Sequence, residues 1–227
     1  MPLESQGVQA WDRYAFVNNN PTRYIDPTGH GACDGPNADP ECANVKKSSK
    51  IELPGWNSSY IQGQPDLQGC FPAATAGAIS TFMGGQVSAK DLDIAMERDI
   101  WKLAGGGVPP LFQDNAINSL ADRGMGNFSA VYTRGTRSDL INNLNSGSPT
   151  IVSVSWGYTR EMGHALLVTS YDQTTNEFSF FDPAESGSVI TEKQFVTIYG
   201  IAFDQAWLQQ PTIFIPAGSM VTIIPEP

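Results

Sequence analysis

The sequence predicts an α+β fold with an antiparallel sheet. Two observations carry this. Helical patterns crowd the stretch from 71 to 145, broken only by the short run Ser129–Thr133, and strand-like runs dominate after it. Helices gathered before strands, rather than alternating with them, give segregated layers instead of βαβ units. In addition, the runs Ala165–Tyr171 and Glu177–Phe181 are separated only by a turn, "DQTTN", which reads as a hairpin of an antiparallel sheet.

The helices are justified by their ends. Phe71–Met83 is Ala-rich and apolar, and Gly84-Gly85 stops it. Ser88–Trp101 opens on Ser88 with Asp91 three residues on, an acidic capping box. Leu111–Arg123 follows a proline pair and stops at Gly124, and Thr136–Asn145 repeats the cap pattern with Thr136 and Asp139. A short helix starts at Thr191. The remaining strands are Thr150–Trp156, Ile201–Phe203, Thr212–Ile215 and Met220–Ile224, apolar runs rich in β-branched residues and bounded by turn residues.

Length and charge bound the function. At 227 residues the chain holds one ordinary domain and an appendage. Its net charge of −10 argues against a nucleic-acid partner, because phosphate binding selects for clustered Lys and Arg. Residues 1–50 hold six acids and five bases; residues 51–227 hold seventeen and eight, so the acidic excess belongs to the second part. No apolar run approaches the roughly 18 residues a membrane span needs. The start has no charged-then-apolar signal peptide, so export is expected to depend on something else. Residues 31–50 are polar, end in Lys46, Lys47 and Lys50, and read as a linker before a globular domain at 51–227.

Of the three cysteines, Cys33 and Cys42 share a Gly/Pro/Asp-rich loop, where they either pair or stay free, and Cys70 stands apart. Thiol catalysis needs a thiolate, so its pKa must fall from about 8.5. Cys70 directly precedes the helix Phe71–Met83, at the positive end of its dipole, with Pro72 suited to the first turn and Gly69 allowing a bend. A structural cysteine more often sits inside an element. His164 is the single histidine of the globular part and opens the apolar strand "ALLVTSY". Asp182 ends the next strand, so the hairpin sets it beside His164, as an orienting carboxylate requires. The plainer reading of Asp182-Pro183 is a turn initiator. Asp172 lies about 25 Å from His164 by strand rise and is rejected. Gln62, Gln64 and Gln68 all precede Cys70, and composition alone does not choose an oxyanion donor among them; the backbone N–H of Cys70 is the second donor.

Those residues resemble the papain-like superfamily in the order Cys, His, Asp. The signature of papain itself is absent. The pattern is similar to the double-glycine leader, bacteriocin-processing peptidases: a Gln, five residues, a Cys heading an Ala-rich helix that ends in Gly, then Gly-His before an apolar strand and Asp-Pro after the next. Here these are Gln64, Cys70, Gly84, Gly163-His164 and Asp182-Pro183. The resemblance covers about residues 60–200. It implies a helical half with the nucleophile helix packed on an antiparallel sheet. It also implies a catalytic triad of Cys70, His164 and Asp182, Gln64 as oxyanion donor, and a taste for small residues or Gly-Gly before the scissile bond. Phe71 stands where that family has Gly or another small residue.

Residues 1–30 carry a second resemblance. "RYAFVNNNPTRYIDPTGH" is similar to the closing motif of the Rhs (YD-repeat) core, with Asn-Pro, an aromatic and Asp-Pro-x-Gly in order, and His30 where Leu is common. Together the two resemblances imply a polymorphic toxin effector. It would be delivered into a target cell, act on a protein substrate in a reducing cytosol, and be paired with a cognate immunity protein. No cofactor is expected. A metal site is disfavoured, since neither C-x-x-C nor H-x-x-x-H spacing occurs. Gly105–Gly107 lacks the surroundings of a phosphate loop and reads as a mobile loop between two helices, expected to border the substrate cleft. The five Trp are scattered and serve the core. Two alternatives keep their place: a glutamine deamidase or transamidase built on the same triad, and a binding module with a dead site.

Overall fold

A computed structural model describes residues 49–98, 107–155, 163–184, 186–209 and 215–226. The Rhs-like motif, Cys33 and Cys42 lie outside the described residues, as do Trp11, Trp101 and Trp156. The described domain runs from Lys50.

In chain order it comprises β1 (Lys50–Glu52), α1 (Cys70–Met83), α2 (Ala89–Arg98), α3 (Gln113–Asp122), β2 (Phe128–Arg134), α4 (Arg137–Ser146) and β3 (Thr150–Ser155). Then come β4 (Gly163–Asp172), β5 (Glu177–Asp182), β6 (Ser188–Thr191), α5 (Glu192–Tyr199) and β7 (Ser219–Pro225). The α+β expectation holds. The strands form one antiparallel sheet in the order β2-β7-β3-β4-β5-β6, and β1 pairs with the far half of β4. Among the described residues no helix is long and apolar enough to cross a membrane.

The helix caps follow their sequence signals. Ser88 Oγ accepts from the Asp91 N–H at 3.2 Å, and the Asp139 carboxylate accepts from the Thr136 N–H at 2.7 Å. Thr191 and Gln194 close a full capping box at α5. The Leu111–Arg123 helix divides into a 3-10 turn, Pro110–Phe112, and α3.

α1 is the centre of the packing. Phe71 through Ser80 are all buried, so this helix is apolar around its circumference rather than along one stripe. Its alanines keep it thin. At Gly77 an added Cβ would stand 3.0 Å from the ring of Phe181 on β5, so a side chain there would push helix and sheet apart.

One expectation fails. Ile201–Phe203 forms no strand: α5 ends at Gly200, and the chain runs into a π-helical turn, Gln205–Gln209. Phe203 serves as a core plug instead, 4.5 Å from the Phe180 ring and stacked on Trp207 at 5.5 Å. Ile215, placed in the strand Thr212–Ile215, lies in a bend, and residues 212–214 are outside the described residues. Two short strands, β1 and β6, go unforeseen; at three and four residues each draws its identity from its partner rather than from a pattern of its own.

The β4–β5 hairpin holds a β-bulge that no residue pattern announces. The register runs from Asp172↔Glu177 to Ser170↔Ser179, then resumes at Val168↔Phe180 and Leu167↔Phe181. Thr169 is the extra residue; its carbonyl accepts from the Leu53 N–H and its hydroxyl donates to the Ser179 carbonyl. Without the bulge, Asp182 would oppose Leu167 and face away from His164. With it, Asp182 falls opposite Leu166, on His164's side of the sheet.

Candidate active site

Three elements bring three side chains together. Cys70 is the first residue of α1, where its own N–H has no intrahelical acceptor. Its N-cap, Gly69, has φ −84°, so it is not there for a left-handed bend. It is there for space, because a Cβ would come within 2.6 Å of Pro65. His164 is the second residue of β4 and opposes Val154 of β3. Asp182 is the last residue of β5.

His164 Nε2 and Asp182 Oδ1 are 2.7 Å apart, and both residues are buried. That bond commits Nε2, so the hydrogen bond between His164 and Cys70 falls to Nδ1. Asp182 Oδ1 also accepts from the Ala184 N–H at 2.8 Å, and Oδ2 accepts from the Tyr199 hydroxyl at 2.5 Å.

The protonation states follow. Burial pushes the Cys70 thiol up, but the His164 imidazole, by hydrogen bond and charge, and the backbone amides of Ala165 and Phe71 bring it below the ordinary thiol value. Burial alone would lower His164; its bonds to Asp182 and Cys70, with both charges, push it up to about 9. Burial raises Asp182, yet His164, Tyr199 and the Ala184 N–H hold its carboxyl below the usual carboxylate range. A thiol moved down and an imidazole moved up, in contact, favour the thiolate–imidazolium form over the neutral pair.

The three glutamines before Cys70 separate by what they bond. Gln62 is committed to α2: its Nε2 donates to the Val87 carbonyl at 2.5 Å and its Oε1 accepts from the Ala89 N–H at 2.9 Å. Gln64 donates its backbone N–H to the carbonyl of Pro183, the neighbour of Asp182, at 2.8 Å. Among the described residues its side-chain amide has no hydrogen bond. Gln68 is tied by its backbone N–H to Asp66. Asp172 staples the hairpin turn, accepting from the Thr174 N–H at 2.8 Å. Phe71 is buried in the core. At Gly107 a Cβ would stand 3.4 Å from the carbonyl of Gln68, so the end of the Gly105–Gly107 run borders the loop leading to Cys70.

Tyr199 is the participant that sequence reading missed. It is one of seven tyrosines, seventeen residues beyond Asp182, and no spacing marks it. Away from Cys70, His164 and Asp182, the residues Asp66, Asp93 and Glu97 bring carboxylate oxygens within 4.8 Å of one another, an arrangement common among exposed acidic groups without an ion.

A helix-borne thiol facing an imidazole–carboxylate couple on an antiparallel sheet is a papain-like arrangement. The chain belongs to the Peptidase_C39 like family, which matches residues 56–209, and this membership supports a peptidase. Solved structures that the chain matches include the peptidase domain of Streptococcus ComA, described as a bi-functional ABC transporter involved in a quorum-sensing pathway. It is 18% identical, with a TM-score of 0.45, covering 73% of this chain and 98% of that one. The peptidase domain of Streptococcus mutans ComA is 16% identical, with a TM-score of 0.43, covering 73% and 99%. A double-glycine motif protease from an AMS/PCAT transporter, in complex with its leader peptide, is 15% identical, with a TM-score of 0.44, covering 73% and 91%. No curated protein matches the chain.

Proposed function

We propose that this chain is a cysteine peptidase acting through Cys70, His164 and Asp182. The observation that carries the reading is the contact of a helix-start thiol with an imidazole whose far nitrogen is held 2.7 Å from a buried carboxylate. The Cys70 thiolate attacks a peptide carbonyl carbon. The oxyanion that forms is stabilised by the Cys70 N–H and the Gln64 side-chain amide, the one glutamine of the three that is both tied beside Asp182 and unbonded at its amide. His164 gives its Nδ1 proton to the leaving amine, and the C–N bond breaks to leave a thioester. Water, deprotonated by His164, then hydrolyses the thioester and restores the thiol. Asp182 stays ionised throughout and holds the imidazole in register.

The substrate in this proposal is a protein of a target cell, cut after small residues. The chain is the effector tip of an Rhs-type toxin, delivered into a reducing cytosol and matched by an immunity protein. The motif in residues 1–30 supports this, as does a free thiol nucleophile, which a reducing compartment preserves.

The test compares wild type with Cys70→Ala, each incubated with a bacterial lysate and read by proteome-wide labelling of N-termini. New N-termini that require Cys70 are expected, and their flanking residues give the cleavage motif. Cys70-dependent conversion of Gln to Glu without chain scission would replace the peptidase by a deamidase, and no Cys70-dependent change would leave a binding module.

A further inference from the structure

We propose that Tyr199 is a positioning residue for the Asp182–His164 couple, acting on Cys70 through the carboxylate. A buried carboxylate that orients an imidazole needs both oxygens fixed, because rotation about its Cβ–Cγ bond would swing the acceptor away from the ring. Oδ1 is fixed by His164 Nε2 and the Ala184 N–H, and Oδ2 by the Tyr199 hydroxyl. The phenol is itself held. Its ring lies 4.6 Å from that of Phe195, which is fully buried and packs edge-on against Phe203 at 6.1 Å. It also lies 5.9 Å from the His164 ring, tilted at 46°. Tyr199 is the last residue of α5, so the helix end delivers the hydroxyl.

The titratable groups acting on Asp182 are His164 from β4 and Tyr199 from α5; beyond His164 lies Cys70 from α1. Losing the hydroxyl frees Oδ2, loosens His164 and weakens the thiolate–imidazolium pair. The inference builds on the triad reading, but its readout needs no substrate. Alkylation of Cys70 by iodoacetamide across pH, measured on the full chain by mass spectrometry of the Cys70 peptide, reports the thiolate alone.

Tyr199→Phe keeps the ring stack, and circular dichroism checks its fold. It is expected to slow Cys70 alkylation at pH 6 by about tenfold and to move the inflection to higher pH. In an Asp182→Asn background the same substitution is expected to change the rate by less than about twofold, because the route to Cys70 is already cut. If Tyr199→Phe does not fold, Phe195→Leu replaces it in the same cycle; it loosens the tyrosine ring, and the same dependence on Asp182 is expected. An unchanged inflection, or an equal slowing in both backgrounds, would overturn the proposal. Absent lysate cleavage together with an intact alkylation cycle would reject the peptidase reading and leave the positioning role standing.

Discussion

Two charged networks in this domain are built alike and behave differently. At one end of α5, Arg137 of α4 binds both oxygens of Glu192, at 2.8 and 3.0 Å, and Asp204 at 3.0 Å. It also binds the carbonyl of Asn176 at 2.8 Å and lies 4.7 Å over the Phe178 ring. At the other end, Tyr199 joins Asp182, His164 and Cys70. Both networks are at least partly buried and densely bonded. The difference is the proton. Guanidinium does not titrate in proteins, so the first network can only hold chain segments together. In the second, a thiol is moved down and an imidazole up to about 9, so one proton is shared between groups able to give it away. On the proposed reading, dense bonding serves cohesion in one place and chemistry in the other.

The comparison breaks most sharply at Cys70. Cys70→Ala is expected to lower peptide cleavage by at least about 10³-fold with little change in melting temperature, measured by N-terminal labelling and circular dichroism. Arg137→Ala should do the reverse. We expect a loss of about 2–3 kcal/mol in urea unfolding, because two carboxylates and a carbonyl lose their donor, with site-resolved alkylation of Cys70 little changed in the folded protein. Similar losses of reactivity and stability in both variants would erase the distinction.

The pH dependence sharpens it further. The folded pKa of His164 is raised, so its contribution to stability is fully present below about pH 6.5 and is lost as pH rises through about 9. The lowered Cys70 thiol contributes with the opposite sign, so the loss is read by denaturant unfolding at pH 6 and pH 10 in Cys70→Ala, where Asp182 alone raises His164. It should be smaller when Asp182→Asn is added, because His164 then lacks its carboxylate. The smallest expected effect lies behind Cys70, within α1. The Thr75 hydroxyl is buried in α1 with no hydrogen-bond partner among the described residues. Thr75→Val should therefore be neutral or stabilising by about 1 kcal/mol, read from urea midpoints.

Much of this was legible in the sequence, and the reasons are particular. Cys70 and His164 stand out because each is alone in its part of the chain and each sits at the start of an element. The helix ends at Gly84, Thr136 and Thr191 were readable because capping is local chemistry. Asp182 was found by a hairpin argument that omitted the bulge at Thr169, and a bulge is set by cross-strand packing, which no single strand records. Tyr199 was invisible for a related reason: its partner is brought near by the path of β6 and α5, not by spacing. Ile201–Phe203 misled because an isolated apolar triplet serves a core plug as well as a strand. Composition left Gln62, Gln64 and Gln68 open and the family spacing pointed to Gln64; the bonds of Gln62 to Val87 and Ala89 commit that side chain elsewhere.

The central claim, a Cys70 thiolate stabilised by His164, is tested most directly by its absorbance. The difference near 240 nm between wild type and Cys70→Ala, followed from pH 4 to 10, cancels Cys33 and Cys42. The account predicts a thiolate inflection well below the ordinary value of about 8.5, and its loss to a higher pH in His164→Ala. An inflection at or above the ordinary value, unchanged by His164→Ala, would contradict it.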